Sequence, residues 1–219
     1  MIIAVLAVAL VLAPVLTGGR LRGYADLRLR QAWVVGVAFL TQALVLGVFP
    51  TGSRPVLAAL HVATYGAAAW FVWVNREVPG LWLLGLGTIS NGLTIALNGG
   101  TLPASASALR TAGLTLPTGT FVNSGTVPDP VLPWLGDVFA IPASWPMANV
   151  FSIGDVLILA GLGWGAHRIC GSRVTGGPEA WRHRPTGPAS TADQRLRPST
   201  TTATTPPSSA PRPASTEAR

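Results

Sequence analysis

Lysine is absent from this sequence, and carboxylates are few: 219 residues carry 15 basic side chains, all arginine, against 8 acidic ones. Charged residues make up only 11% of the chain, where an ordinary soluble domain carries about 25%. That is too little charge to cover a solvated surface of normal composition. Cysteine is nearly missing too. The single Cys170 rules out an internal disulfide framework and a cysteine-built metal site. At the inner end of the last apolar segment it reads as a bystander thiol, with S-acylation as the alternative. The three histidines, His61, His167 and His183, are far apart, and no HExxH pattern joins any of them. No Walker A loop, GxGxxG turn or GxSxG elbow occurs. No metal or cofactor is therefore expected.

What is present is apolar. Hydrophobic residues reach 49% and mean hydropathy is +0.46, although the last fifty residues are polar. The apolar content is therefore concentrated upstream, in the pattern of a membrane protein. A hydrocarbon core of about 30 Å takes roughly 20 helical residues. Five segments approach that length: 2–17, 32–49, 55–74, 79–97 and 153–169. The expected fold is all-α, a bundle of five transmembrane helices. The first segment lacks a basic start and a small-residue cleavage site, so it reads as an uncleaved helix with its N-terminus outside.

Arginine counting sets the direction. With the N-terminus outside, Arg20, Arg22, Arg28, Arg30, Arg76, Arg168, Arg173, Arg182 and Arg184 fall inside, and only Arg54 and Arg110 fall outside. The net charge of +7 thus flanks apolar segments and fills a tail, which points to a membrane surface and not to nucleic acid. Arg20, Arg22, Arg28 and Arg30 set topology and are candidate contacts for anionic lipids at the inner surface.

The 98–152 segment is expected outside. Seven prolines from Pro103 to Pro146 forbid a regular spanning helix. Its apolar content argues against disorder, so it is expected to fold over the outer mouth of the bundle. Within it, Trp134 to Ile141 is expected as a short interfacial helix. From Gly171 onward the composition turns to Pro, Ser, Thr and Arg. Eight prolines lie between Pro178 and Pro213, and the 171–219 tail is expected to be disordered and cytoplasmic.

Polar residues inside the apolar segments carry the candidate site. Counting 1.5 Å per residue from the outer ends, Gln42 lies roughly 10 Å deep, and His61 and Asn91 roughly 9 Å. Tyr65 shares the face of His61 one turn on, and Asp155 sits in the first turn of the fifth helix. Together with Asn98 and Asp137 they define a candidate outward-facing polar pocket, or a set of hydrogen bonds that merely fixes packing. Ser152, three residues before Asp155, forms an S-x-x-D capping pattern. Gly161 and Gly165 form a small-xxx-small pair suited to close helix packing.

Three blocks, NGGTLP (98–103), LPWLGDVFAIP (132–142) and NVFSIGDVLILAG (149–161), together with the arginine-rich loop, resemble a family of small bacterial multi-pass membrane proteins known only as domain of unknown function 5317. The resemblance covers about residues 1–170. It implies a membrane location and supplies no activity, ligand or catalytic residue. Because the distinctive blocks cluster on the outer loop, the working surface is expected there. The expected function is that of a non-enzymatic accessory, scaffold or assembly protein, with a second copy or another membrane protein as partner. The alternative is a small ion-coupled carrier. A membrane-embedded enzyme using Asp137 and Asp155 as acid and base is a third.

Overall fold

A computed structural model describes residues 2–115 and 119–176. Helix α1 (Ile2–Leu12) passes into a 3-10 turn, Ala13–Thr17, at Pro14. Proline has no N–H to donate and its ring crowds the preceding turn, so the α pattern stops there. A single turn, α2 (Arg22–Ala25), follows. Helix α3 (Trp33–Ala43) continues as a π turn, Leu44–Val48. Helix α4 (Arg54–Val74) has Pro55 in its first turn, where the missing N–H costs nothing. Helix α5 (Leu81–Leu97) starts after Gly80, whose φ of 83° is left-handed and suits glycine. Helix α7 (Ile153–Ile169) is the last long one.

These five long helices occupy the five apolar segments expected from sequence. One of them, Arg54–Val74, is by itself long and apolar enough to cross a membrane; Ile2–Thr17, Trp33–Val48 and Leu81–Leu97 are shorter apolar helices.

The segment between α5 and α7 is folded and partly β. Strands β1 (Leu102–Pro103) and β2 (Ser124–Gly125) pair in parallel. Between them α6 (Ala106–Ala112) is capped by Ser105, whose side chain accepts from the Ala108 N–H. Strands β3 (Asp137–Ile141) and β4 (Asn149–Ser152) form an antiparallel pair. The interfacial helix expected over 134–141 is therefore corrected. Only Pro133–Leu135 is helical, as one 3-10 turn. The sequence Asp-Val-Phe-Ala-Ile favours a pleated surface, and Phe139 stacks on Phe151 across the pair with ring centroids 5.3 Å apart. Among the described residues the all-α expectation becomes a mostly helical fold with two small two-stranded sheets. The tail boundary moves as well: Arg173–Thr175 forms a 3-10 turn and Ser172 is fully buried. The remainder of the expected disordered tail, with Arg182 and Arg184, lies outside the described residues.

The connections gather at two opposite ends. At one end the α1–α3 loop meets the end of α7 and the end of α4. The Arg20 N–H donates to the Cys170 carbonyl at 2.9 Å, and the Arg30 N–H to the Asn75 Oδ1 at 2.7 Å. At the other end the Phe121 N–H donates to the Pro50 carbonyl at 2.7 Å, tying the 98–152 segment to the α3–α4 turn. Alternate connections thus collect at alternate ends, as an up-and-down bundle requires.

Helices α5 and α7 touch through glycine. A Cβ on Gly161 would lie 2.4 Å from the Leu84 nitrogen, one on Gly165 would lie 2.6 Å from the Pro79 carbonyl oxygen, and one on Gly87 would lie 2.3 Å from the Gly154 carbonyl oxygen. The expected packing role of Gly161 and Gly165 matches this geometry. Gly66, in α4, has nothing within 4 Å of its would-be Cβ. Gly161→Ala is expected to destabilise the protein by about 1–3 kcal/mol through backbone displacement. Gly66→Ala is expected to be neutral or to stabilise by about 0.5–1 kcal/mol through helix propensity. Thermal unfolding of the two purified variants checks the contrast.

Candidate functional site

The site begins where β4 turns into α7. Ser152 is extended, with φ −102° and ψ 169°, and its side chain accepts from the Asp155 N–H at 3.0 Å. Asp155 reaches back, its Oδ2 accepting from the Ser152 N–H at 2.9 Å. This is the capping box the sequence announces: two orphan N–H groups of the first turn are satisfied, and a carboxylate meets the positive end of the helix dipole.

Asn91 of α5 completes the junction. Its Nδ2 donates to Asp155 Oδ1 at 3.0 Å, and its Oδ1 accepts from Ser152 Oγ at 3.0 Å. Gly154 makes room for it, since a Cβ there would fall 2.0 Å from Asn91 Oδ1. Three side chains from two distant stretches close one buried ring of hydrogen bonds.

Asp137 stands beside this ring. It opposes Ser152 in the β3–β4 register and bridges to Ala104. Ser124 Oγ donates to its Oδ2, while its Oδ1 is buried with no hydrogen-bond partner among the described residues. The residue is only 4% exposed. Burial raises its pKa from 3.8 to about 6, opposed by the Ser124 hydrogen bond and reinforced by the nearby charge of Asp155.

On α4, His61 is fully buried. Its Nδ1 lies 2.9 Å from the Gly100 carbonyl, and its ring meets those of Tyr65 and Phe121 edge-on, at 5.4 and 5.7 Å. Tyr65 reaches towards Asn123 with a long 3.5 Å contact, and its ring fills the space opposite Gly92.

The expected polar residues therefore divide. Asn91, Ser152, Asp155 and Asp137 come together at the 98–152 segment, with Tyr65 near the two carboxylates and His61 against Tyr65. Asn98 does a different job: its side chain exchanges two hydrogen bonds with the Val131 backbone, at 2.8 and 2.9 Å, and pins the 98–152 segment to the end of α5. Gln42 stands apart, donating to Thr64 Oγ1 at 2.8 Å across the α3–α4 interface. Ser124 and Asn123 had no sequence signal, because only the fold brings their loop to Asp137 and Tyr65. Among the described residues no group of three or more His, Cys, Asp or Glu side chains converges. Cys170 is buried, and burial pushes its thiol pKa up, which disfavours the reactive thiolate.

With this geometry in hand, comparison with known proteins is informative. The Family of unknown function (DUF5317) matches residues 26–165. The chain belongs to this family. The match spans the capping box, Asn91, Asp137 and the whole 98–152 segment of this DUF5317 member. An uncharacterized protein of Thermotoga maritima is 30% identical over 93 residues, 42% of this chain and 53% of that protein. The chain thus spans about half the length of that curated relative. No solved structure matches.

Two outcomes are expected for this DUF5317 protein. Ser152→Ala removes the cap and leaves Asn91 Oδ1 without its donor, so thermal unfolding should show a loss of about 1–3 kcal/mol. The second concerns pH. The folded-state pKa of Asp137 is raised, so folding favours its protonated form. The associated stability is fully present below about pH 4 and is lost as pH rises through about 6, amounting to roughly 3 kcal/mol at most. Asp137→Asn should flatten the unfolding temperature across that window; an unchanged slope would refute the assignment.

Proposed function

We propose that this protein is a multi-pass inner-membrane protein of accessory, scaffold or assembly type, with its working surface on the extracytoplasmic 98–152 segment. The observation that carries this is the reversed polarity of the fold. Trp33, Phe39, Trp73 and Trp82 are 69%, 76%, 63% and 63% exposed, while His61, Thr94 and Ser152 are fully buried. A soluble monomer rarely exposes contiguous apolar surface on that scale. In a bilayer the arrangement is the ordinary one, because lipid takes the apolar side chains and the polar ones must find partners within the bundle. Helices of 16 or 17 residues rise roughly 25 Å, a mismatch that local thinning accommodates at modest cost.

Orientation follows from the two ends. Arg20, Arg22, Arg28, Arg30, Arg76, Arg168 and Arg173 lie at one, and Arg54 and Arg110 at the other, so the arginine-rich end is cytoplasmic. The non-enzymatic character is supported by how the polar groups are used. Asn91, Asn98, Ser152 and Asp155 are occupied with one another and with backbone, which spends these side chains on building a platform. The ion-coupled carrier reading has one observation in its favour, the buried and unpartnered Oδ1 of Asp137.

Alkaline-phosphatase fusions after Leu97 are expected to be active, and fusions after Arg30 inactive; the reverse pattern would overturn the orientation. A photo-crosslinker at Trp134 or Trp145, both exposed on the outer segment, should capture a discrete membrane-protein partner or a second copy. Asp137-dependent cation or proton flux in proteoliposomes would instead favour the carrier.

A further inference from the structure

The arginine end of the bundle is more ordered than topology alone demands. A loop that only fixes orientation needs charge and no particular shape. Here the 18–31 loop is fastened at three places. The Arg20 N–H bonds to the Cys170 carbonyl at 2.9 Å, and Tyr24 Oη donates to the Val11 carbonyl at 2.8 Å. The Asn75 side chain brackets Arg30, accepting from its N–H at 2.7 Å and donating to its carbonyl at 2.9 Å. Gly23 lies so close to α7 that a Cβ would fall 2.2 Å from the Ile169 carbonyl oxygen. The backbone is strapped across the ends of α1, α4 and α7.

Beneath that strap lies an apolar cavity of about 180 Å³, lined by Tyr24, Leu27, Leu29, Phe71, Leu84 and Leu162 among others. Leu27 and Leu29 belong to the strap itself, and Arg28 stands between them, exposed. Arg20, Arg22 and Arg30 are exposed on the same short loop, whose single carboxylate is Asp26. Glu77, the other acid at this end among the described residues, lies 4.0 Å from Arg76.

We infer that this end carries a defined seat for one anionic phospholipid, its acyl chain in the cavity under Leu27 and Leu29 and its phosphate against Arg28 and the neighbouring arginines of the strap. The inference rests on the membrane reading above and goes further than diffuse attraction to a charged leaflet. Charge complementarity selects the occupant, because a cluster of arginines at the mouth of an apolar cavity matches a molecule with an anionic head and a hydrocarbon tail. The fixed backbone lowers the ordering cost of binding. Arginine also presents a planar fork that grips phosphate through two donors.

The test begins with fractionation of cells expressing the full chain. Recovery in the soluble fraction would remove the membrane reading, and the seat with it. Membrane-recovered protein is then purified in detergent and titrated with phosphatidylglycerol and phosphatidylcholine under native mass spectrometry. One phosphatidylglycerol should be retained in preference to phosphatidylcholine. Arg28→Gln should reduce that preference roughly fivefold, the loss expected for one arginine at a lipid surface. Leu29→Trp, which fills the mouth of the cavity from an exposed position, should reduce retention of both lipids. Arg110→Gln, at the other end, should change neither. Inorganic phosphate at millimolar concentration should not displace the lipid; displacement would mean that the charge cluster alone binds. Equal retention of the two lipids by the wild type, or an unchanged preference in Arg28→Gln, would overturn the seat and leave the membrane reading intact. A dimer that Leu29→Trp converts to monomer would assign the cavity to a second copy and also overturn it.

Discussion

The ring formed by Asn91, Ser152 and Asp155 is the contact on which the architecture of the 98–152 segment depends. It is small, with four hydrogen bonds between 2.9 and 3.0 Å. Yet it joins the middle of α5 to the first turn of α7 and the last residue of β4. Because Ser152 belongs to both strand and helix cap, fixing it sets where α7 begins and where the β3–β4 ladder ends. The ladder register then carries Asp137 to its buried position opposite Ser152. Asp137 in turn receives Ser124 and brings the 124–125 strand to β1. A long connection rich in proline gains a fixed shape from one helix cap and its α5 partner.

The same junction explains why glycine is spent so freely on α5 and α7. A hydrogen-bonded ring between two helices holds only if their backbones come close, and glycine removes the side chains that would keep them apart. Close approach then needs small residues along the whole crossing. Gly87 against Gly154 serves the ring directly, and Gly161 and Gly165 against Pro79, Gly80 and Leu84 continue the seam to the opposite end. The seam and the ring are two parts of one solution. Polar groups supply specificity at one end, close backbone packing runs the length of the crossing, and the large apolar side chains are turned outward.

Much of this was legible in the sequence because it is local. The long helices announce themselves by composition and by Pro and Gly at their ends, and α7 begins and ends at the expected residues. The capping box is a four-residue pattern and appears as read. The depth count sets Gln42, His61 and Asn91 at similar depth with Asp155 in the first turn of its helix; the fold joins Asn91 to Asp155 directly and seats His61 against Tyr65 and Phe121. What failed was non-local. The 134–141 stretch was expected as an interfacial helix, yet Asp137–Ile141 is extended because its ladder partner lies some ten residues further on and Gly136 packs against Pro103. Ser124 and Asn123 are unremarkable in sequence and acquire meaning only when their loop folds back. Gln42 has the right depth but the wrong face, since helical depth says nothing of rotation about the axis. The strap of residues 18–31 looked like a charge run, and its hydrogen bonds to Asn75 and Cys170 link positions far apart in the chain.

The two ends of the molecule solve different physical problems, and this bears on where function resides. At the arginine end, charge is exposed and the backbone that carries it is held. At the opposite end, charge is buried: Asp137 and Asp155 lie close enough to raise the cost of ionising the former, and one oxygen of Asp137 is left without a partner. A buried carboxyl lacking a full set of hydrogen bonds destabilises the state that holds it, and an apolar side chain of similar volume would remove that cost. Its position is therefore hard to account for by packing alone, unlike that of Asn91 or Asn98, whose hydrogen bonds serve the scaffold. Asn98 holds the 98–152 segment down, Asn91 holds α7 in place, and Asp137, in β3, accepts from Ser124 of β2, bridges to Ala104 just after β1 and opposes Ser152 of the α7 cap.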